Sequence, residues 1–291
     1  MSWLFEKVAG PYSFTEGPAW DGEGVLFTDI PNSRIMRYVP GTGECGEFSA
    51  GTNEANGLMF DRDGQLYTCE GGSGGRCISR YGAAAKRTVI VDRFEEKRLN
   101  SPNDLAFDRD GSLWFTDPRY GDVVDDLELD HQSVYRLDPQ GDDWRLRRVT
   151  FDTTKPNGLL VTADRSQLYV AQSDPGERGM KELRVYPIAD DGSVGSSEVL
   201  HNFAPHRGID GMCLDSEGNI IATAGHKAGG PGPMIYVFAP SGRVLATHPL
   251  PADKPTNCTF GDADLQTLYV TVSGCLYQAR TEHMGYLIYP G

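Results

Sequence analysis

The chain has 291 residues, and its 41 acidic and 27 basic side chains give a formal net charge of −14 at pH 7. A field of this sign repels polyanions, so we expect neither nucleic acid nor an anionic membrane surface as a partner. No stretch approaches the ~18 consecutive apolar residues that a membrane-spanning helix needs. The sequence implies no protein partner, which leaves a globular protein that binds or acts on a small molecule.

The N-terminal sequence MSWLFEKVAGPYS has no basic start, no apolar core and no cleavage site, so we expect no secretory signal. The six cysteines are scattered and form no CxxC pair. We therefore predict free thiols in a reducing cytoplasm and do not favour a zinc site built on cysteine. The cysteines are Cys45, Cys69, Cys77, Cys213, Cys258 and Cys275.

One pattern recurs six times along the chain. Each copy begins with an acid or an amide, continues with a short apolar run and a polar turn, and ends with a second apolar run that contains an aromatic residue or isoleucines. This spacing fits two adjacent strands of a meander, and repeats of about 40–50 residues indicate a propeller or another array. The copies start at Glu16, Asn56, Asn103, Asn157, Asp210 and Asn257, which by subtraction are 40, 47, 54, 53 and 47 residues apart.

Each copy is followed by a third segment of β character, such as SRIMRYVP or MIYVFAP, and in most copies by a weaker fourth, such as RVLATHPL. Four antiparallel strands per repeat, six times over, predict an all-β, six-bladed β-propeller with four-stranded blades. Only 34 residues follow Asn257, so we expect the segment around residues 4–14 to supply the outer strand of the last blade. The prediction is one domain over residues 1–291, since an open solenoid would need capping repeats.

The first residue of each repeat is a candidate ligand, because the first strand of each propeller blade lines the central channel. Six buried oxygen-bearing side chains need a partner, and a hard cation such as Ca²⁺ accepts amide and carboxylate oxygens. The carboxylates of Glu16 and Asp210 would neutralise a divalent ion. Asn and Asp before Gly also form tight turns, which is the alternative for each position taken singly. Glu is a poor turn residue, so Glu16 favours the metal site.

Four loops are predicted to surround the mouth of the channel, because the second strand of each meander returns to the face on which the first begins. They cover residues 71–76, 117–131, 173–180 and 225–233. Binding groups concentrate in such loops. The candidate contacts are Tyr120, Arg119, Arg178 and His226, with solvated loop residues as the alternative.

Four ordered motifs carry a family resemblance over nearly the whole chain: EGPAW, SPNDLAFDRDGSLWFTDPRYG, KPNGLL and IDGMCLDSEG. Together they resemble the gluconolactonase, regucalcin (senescence marker protein) and luciferin-regenerating-enzyme-like family. The phrases FTDPRYG and NCTFGDADLQTLYVT are most similar to its bacterial gluconolactonases. The resemblance implies a six-bladed propeller with one Ca²⁺, or a related divalent ion such as Mg²⁺, Mn²⁺ or Zn²⁺, in its channel.

Carried over by motif, the resemblance implies Glu16, Asn157 and Asp210 as metal ligands. It places Asn103 near both metal and substrate, and makes Asp210 the candidate catalytic base. One position departs from the regucalcin pattern, because Ser101 stands where those members have an arginine two residues before the asparagine. Sugar contacts of the regucalcin kind are therefore not expected there. Tyr120, from the rim loops, is added as a substrate-binding candidate.

The predicted function is the metal-dependent hydrolysis of a sugar lactone. The cation would polarise the carbonyl, and Asp210 would act as base or as nucleophile. The sequence has no GxSxG elbow and no HExxH, so neither a serine hydrolase nor a zinc protease is favoured. Two alternatives stay open: a hydrolase of organophosphates or non-sugar lactones on the same metal site, as in the related squid-type phosphotriesterase, and a non-catalytic Ca²⁺-binding propeller.

Overall fold

The protein forms a ring of six small antiparallel sheets, which confirms the predicted six-bladed β-propeller. The structure, a computed structural model, describes residues 2–72, 74–82, 85–121, 123–141 and 143–290. Within these ranges there is no α-helix, and one short 3₁₀ turn spans Ile30–Asn32. No helix in the described part of the chain has the length and apolar character needed to cross a bilayer.

Blades 1 to 6 each consist of a meander whose first strand lies innermost. The inner strands are Thr15–Trp20, Ala55–Phe60, Leu105–Phe107, Pro156–Val161, Ile209–Asp215 and Pro255–Gly261. The second strands are Val25–Asp29, Leu66–Glu70, Leu113–Asp117, Gln167–Ser173, Ile220–His226 and Thr267–Val272. The third strands are Arg34–Val39, Cys77–Tyr81, Ser133–Gln140, Lys181–Pro187, Gly229–Phe238 and Cys275–Arg280. The outer strands are Glu44–Ala50, Arg87–Val91, Asp143–Arg148, Glu198–Asn202, Val244–Pro249 and Glu6–Ala9.

The ring is closed by the two ends of the chain. Glu6–Ala9 pairs antiparallel with Cys275–Arg280, so the outer strand of blade 6 comes from the N-terminal segment. The Thr256 hydroxyl on blade 6 donates to the carbonyl of Thr15 on blade 1 at 2.8 Å. Closure satisfies strand edges that would otherwise expose unpaired backbone groups. That residues 1–291 form one domain stays a prediction.

Aspartates fix the turns between inner and second strands. The Oδ1 atom of Asp108 accepts the backbone N–H groups of Asp110 and Ser112, both at 3.0 Å. The corresponding aspartates Asp61 and Asp215 accept two N–H groups in the same way. An aspartate that binds its own turn in this way is the physical basis of the repeated DRDG and DSEG phrases. These turns set the register that places the ring residues, which are the first residues of the six repeats: Glu16, Asn56, Asn103, Asn157, Asp210 and Asn257.

The core consists of apolar residues packed between neighbouring blades. Trp114 is fully buried, and its indole N–H donates to Asp108 Oδ2 at 3.1 Å while the Arg136 guanidinium lies 4.8 Å from the ring centre. A cluster shared by blades 4 and 5 joins Tyr169 to Phe238. Interdigitated packing of this kind leaves the channel as the main space between the blades.

The C-terminal segment covers the end of the channel where the inner strands finish, a feature that the sequence analysis did not predict. Gly285–Tyr286 adds a fifth strand to blade 5 by pairing with Leu214 and Asp215. Tyr289 then packs on Phe60 of blade 2, with 5.7 Å between the ring centres. A mostly apolar cavity of about 90 Å³ lies beneath the segment.

His283 anchors this segment through an ion pair, which predicts a pH-dependent stability. Its Nδ1 lies 2.7 Å from Asp215 Oδ2, and this hydrogen bond raises the pKa of His283. Burial alone would raise the pKa of Asp215, but the bonds from His283 and Asn219 lower it. The histidine contribution is therefore complete below about pH 6.5 and is lost as the pH rises through the folded-state pKa.

We expect His283→Gln to lower the free energy of unfolding by about 1–2 kcal/mol at pH 6 and by less at pH 8.5. Urea unfolding of both proteins at the two pH values measures the difference. His201, a half-buried histidine without an ion pair among the described residues, supplies the control variant His201→Gln. An equal loss at both pH values for His283→Gln would show that the ion pair does not anchor the segment.

Candidate functional site

A cavity of about 600 Å³ opens at the end of the channel where the inner strands begin. It lies at the opposite end from the C-terminal segment. All the predicted catalytic, substrate and metal residues line this one cavity: Glu16, Asn103, Tyr120, Asn157 and Asp210. Asn56 and His226 line it as well. The structure thus brings the candidate residues of five different blades together.

The ring residues do not form tight turns, so the alternative of simple turn residues is wrong for the Asn–Gly and Asp–Gly pairs. Asn56, Asn157 and Asp210 each lie inside an inner strand. In five blades the pairing of this strand with the second strand shifts register at or beside the ring position. Such irregularities re-aim side chains and are frequent beside active sites.

Glycine follows these ring residues because neighbouring blades approach too closely for a side chain. An ideal Cβ on Gly17 would lie 2.2 Å from the carbonyl oxygen of Asn56 in the next blade. A Cβ on Gly158 would lie 2.5 Å from the carbonyl oxygen of Asp210. The glycines therefore set the spacing of the ring, since they let adjacent inner strands meet at the channel.

Three carboxylates lie in the channel: Glu16 and Asp104 are buried, and the Asp210 side chain is 15% exposed. Burial raises the pKa of Glu16 well above its usual value, and the charges of Asp210 and Asp104 raise it further. Burial also raises the pKa of Asp104 to about 7. The pKa of Asp210 is raised by burial, against the lowering effect of Arg207 and Asn157. Like charges this close, with little solvent, favour either protonation or a bound cation.

Arg207 holds Asp210 in place and was missed by the sequence analysis. Its Nη1 donates to the carbonyl oxygens of Gly225 at 3.1 Å and Pro255 at 2.9 Å, which belong to blades 5 and 6. Its Nη2 donates to Asp210 Oδ2 and forms an ion pair with it. The guanidinium is thus fixed by backbone on two sides and presents one orientation to the carboxylate.

Two further ring positions are occupied by hydrogen bonds within the protein. The Nδ2 of Asn157 donates to the Tyr120 hydroxyl at 3.1 Å, and its amide oxygen accepts no hydrogen bond from the described residues. The Nδ2 of Asn257 donates to Asp104 Oδ2 at 3.2 Å, and its oxygen accepts the N–H of Cys258 at 2.8 Å. Asn257 therefore lies below the cavity and connects the carboxylates rather than facing the open space.

The rim loops differ from the predicted ones in part. Residues 225–233 are not a long loop, because Ile220–His226 and Gly229–Phe238 continue as paired strands with only Lys227 and Ala228 between them. Positions 73 and 122, inside two other predicted loops, lie outside the described residues. Neither Arg119 nor Arg178 lines the cavity, and Arg119 instead pairs with Asp126 at 3.1 Å.

The donor set fits an oxygen-preferring divalent cation. Among the described residues, no three or more His, Cys, Asp or Glu side chains are grouped to hold a metal. The predicted metal ligands include only two acidic side chains, those of Glu16 and Asp210. The other two ligands are the amides of Asn103 and Asn157. Carboxylate and amide oxygens are the ligands that Ca²⁺ accepts, and a cation would stabilise the ionised forms of acids whose pKa is raised.

Fold and site together define a six-bladed propeller with a buried acidic group at an open cavity. Residues 14–274 match the SMP-30/gluconolactonase/LRE-like region, so the chain belongs to this family, as its motifs predict. It is 33% identical to a gluconolactonase of Zymomonas mobilis over 98% of this chain and 83% of that protein.

Solved structures of the same fold agree with this assignment. A gluconolactonase from Xanthomonas campestris aligns with a TM-score of 0.83 and 31% identity over 96% of this chain and 89% of that chain. A regucalcin from Agrobacterium tumefaciens, described as a calcium-binding protein, aligns with a TM-score of 0.79 over 98% of this chain and 96% of that chain. At 16% identity, this second likeness is one of fold.

Proposed function

We propose that this chain hydrolyses a sugar lactone in the cavity at the channel mouth. Family membership supports the class, since the relatives at 33% and 31% identity are both gluconolactonases. The observation that carries the proposal is a pair of carboxylates, the buried Glu16 and the largely buried Asp210, that line a cavity of about 600 Å³. A volume of this size is in the range of small-molecule sites.

A divalent cation is part of the proposal, with Ca²⁺ first and Mg²⁺, Mn²⁺ or Zn²⁺ as alternatives. Its ligands would be Glu16, Asn103, Asn157 and Asp210, all of which line the cavity. When bound, the cation would polarise the lactone carbonyl and stabilise negative charge on its oxygen. The pKa of Glu16 and that of Asp210 are both raised, so a bound cation would favour ionisation of the two carboxyl groups. This supports a cation at the proposed site.

Asp210 is the proposed base. Its Oδ2 is held by Arg207, so the carboxylate keeps one orientation at the cavity wall. In the proposed step the carboxylate takes a proton from water as the water oxygen bonds to the lactone carbonyl carbon. The bond from that carbon to the ring oxygen then breaks, the ring oxygen receives a proton, and a hydroxy acid is released. Direct attack by the carboxylate is the alternative route.

Asn103 and Tyr120 are the proposed substrate contacts. The Asn103 backbone is fixed, since its N–H donates to Thr116 O at 2.9 Å and its carbonyl accepts the Gly57 N–H at 2.8 Å. Among the described residues its side-chain amide makes no hydrogen bond, so its oxygen is available to the proposed cation and its Nδ2 to a lactone. Tyr120 stands beside Asn157 and provides an aromatic wall next to a ligand.

A cytoplasmic location and a small-molecule partner complete the proposal. All six cysteines are unbridged. Cys213 and Cys258 are both buried, with their sulfur atoms 3.6 Å apart and not bonded. Free cysteines are typical of proteins in a reducing compartment, which supports this part of the proposal.

The test is to measure hydrolysis of glucono-1,5-lactone and of a phosphotriester by pH-stat, after subtracting spontaneous hydrolysis. We expect turnover of the lactone, loss of that turnover in EDTA, and much slower turnover of the phosphotriester. Faster turnover of the phosphotriester would assign the site to the alternative hydrolase. Turnover of neither, with tight Ca²⁺ binding retained, would identify a non-catalytic propeller.

A further inference from the structure

Basic side chains line the cavity, although the chain as a whole has a net charge of −14. Lys181, Arg207 and Lys254 line the cavity, against the carboxylates of Glu16, Asp174 and Asp210. Arg207 is paired with Asp210, and Glu16 belongs to the proposed cation site. Two lysines therefore face a single remaining carboxylate, that of Asp174.

Lys181 is a buried ammonium without an acidic partner. It is 7% exposed, and its Nζ donates to the carbonyl oxygens of Gly176 at 2.8 Å and Gly179 at 3.2 Å. Among the described residues it forms no ion pair. An ammonium has three N–H donors, so one remains after these two bonds. A buried charge is costly unless it is paired, so an anion at the remaining donor would stabilise this lysine.

Lys254 is presented to the same cavity by a fixed turn. Its backbone has a φ of 52°, the left-handed region, directly before the inner strand of blade 6. The carboxylate of Asp253 accepts the N–H groups of Lys227 at 2.7 Å and Lys254 at 2.9 Å, which ties this turn to blade 5. The left-handed backbone and the bonds to Asp253 thus fix the turn from which the Lys254 side chain reaches the cavity.

We infer that the substrate is an anionic sugar lactone, whose phosphate, sulfonate or carboxylate group binds between Lys181 and Lys254. This inference rests on the proposed lactonase function and specifies its substrate class. The lactone ring would lie over Asp210 and Asn103, while the anionic substituent lies against the lysines of blades 4 and 6. A cavity of about 600 Å³ has room for a hexonolactone with such a substituent.

The test compares kcat/KM for glucono-1,5-lactone with that for its 6-phosphate and its 6-deoxy-6-sulfonate. We expect the wild-type protein to favour the anionic lactones by roughly tenfold or more, as charge-assisted hydrogen bonds predict. The advantage should shrink in about 0.5 M salt, which screens charges. The anionic lactone with the larger kcat/KM relative to the neutral lactone identifies phosphate or sulfonate as the preferred group.

Variants of Lys181 and Lys254 test whether these two lysines cause the preference for anionic lactones. Lys181→Met should lower the ratio of anionic to neutral kcat/KM by about tenfold, and Lys254→Asn, which keeps the left-handed backbone, by about threefold. Lys7→Gln, on the exposed outer strand of blade 6, is the control that leaves the ratio unchanged. Circular dichroism and thermal melts check that each variant folds.

Equal kcat/KM for neutral and anionic lactones, unchanged in both lysine variants, would overturn the inference and leave the lactonase function intact. Failure to open any lactone would instead contradict the proposed function. In that case, calorimetric titration with glucose 6-phosphate and with glucose still tests whether the cavity binds an anionic group. Binding of the phosphate alone, weakened in Lys181→Met, supports the anion site, and equal binding or none refutes it.

Discussion

Replacing Asp210 with asparagine is expected to lower kcat/KM for the lactone by about three orders of magnitude, the middle of the range for loss of a general base. An amide cannot take the proton of the attacking water, and it brings no charge to a cation. The change preserves volume, and Arg207 keeps its bonds to the carbonyl oxygens of Gly225 and Pro255. The fold should therefore survive the substitution.

Steady-state lactone hydrolysis of Asp210→Asn and wild type, both saturated with Ca²⁺, measures this effect. Asp63→Asn, an exposed aspartate away from the cavity, is the matched control and should retain full turnover. If Asp210→Asn kept more than about a tenth of wild-type kcat/KM, Asp210 would not be the base. Retained ligand binding together with no turnover in either protein would favour a binding module instead.

Glu16→Gln is expected to have opposite effects on cation binding and on the stability of the cation-free protein. Removing a direct carboxylate ligand should weaken Ca²⁺ binding by at least about a hundredfold, since even outer-shell changes cost roughly 10–100-fold. Without cation, Glu16 is a buried acid next to Asp104 and Asp210, and burial raises its pKa. The cation-free variant should therefore be more stable than cation-free wild type at pH 8, by about 1–3 kcal/mol.

Calcium titration by calorimetry and urea unfolding after chelation measure the two effects of Glu16→Gln. Glu23→Gln, a mostly exposed glutamate of the same blade, is the control and should change neither quantity measurably. Loss of stability in cation-free Glu16→Gln would mean that the carboxylates do not repel each other in the folded protein. Unchanged Ca²⁺ affinity would remove Glu16 from the ligand set.

Much of the fold could be predicted because blades 1, 2, 3 and 5 repeat the same local chemistry. The aspartate of the first turn binds its own backbone, as at Asp108, and leaves the DRDG signature in the sequence. The residue at the start of the repeat then lines the same cavity in blades 1 to 5, while Asn257 of blade 6 lies below it. That phase is why Glu16, Asn157 and Asp210 could be grouped before their positions in space were known.

The remaining features depend on contacts that no repeat encodes. Asp104 stands where four of the six repeats have a glycine after the ring residue, which is a signal that could have been found. Arg207 gives no such signal, because its carbonyl partners Gly225 and Pro255 become neighbours only when blades 5 and 6 pack together. The C-terminal segment likewise has no counterpart in the other blades, and its contacts with Leu214, Asp215 and Phe60 arise only in the folded ring.

The central claim is that a divalent cation held by Glu16, Asn157 and Asp210 is required to open a sugar lactone. The most direct measurement is glucono-1,5-lactone hydrolysis by the chelated protein during titration with Ca²⁺. We predict no turnover above the spontaneous rate in the chelated protein, and recovery of full turnover at about one equivalent of bound cation. Full turnover in the chelated protein, with no response to any divalent cation, would contradict the account.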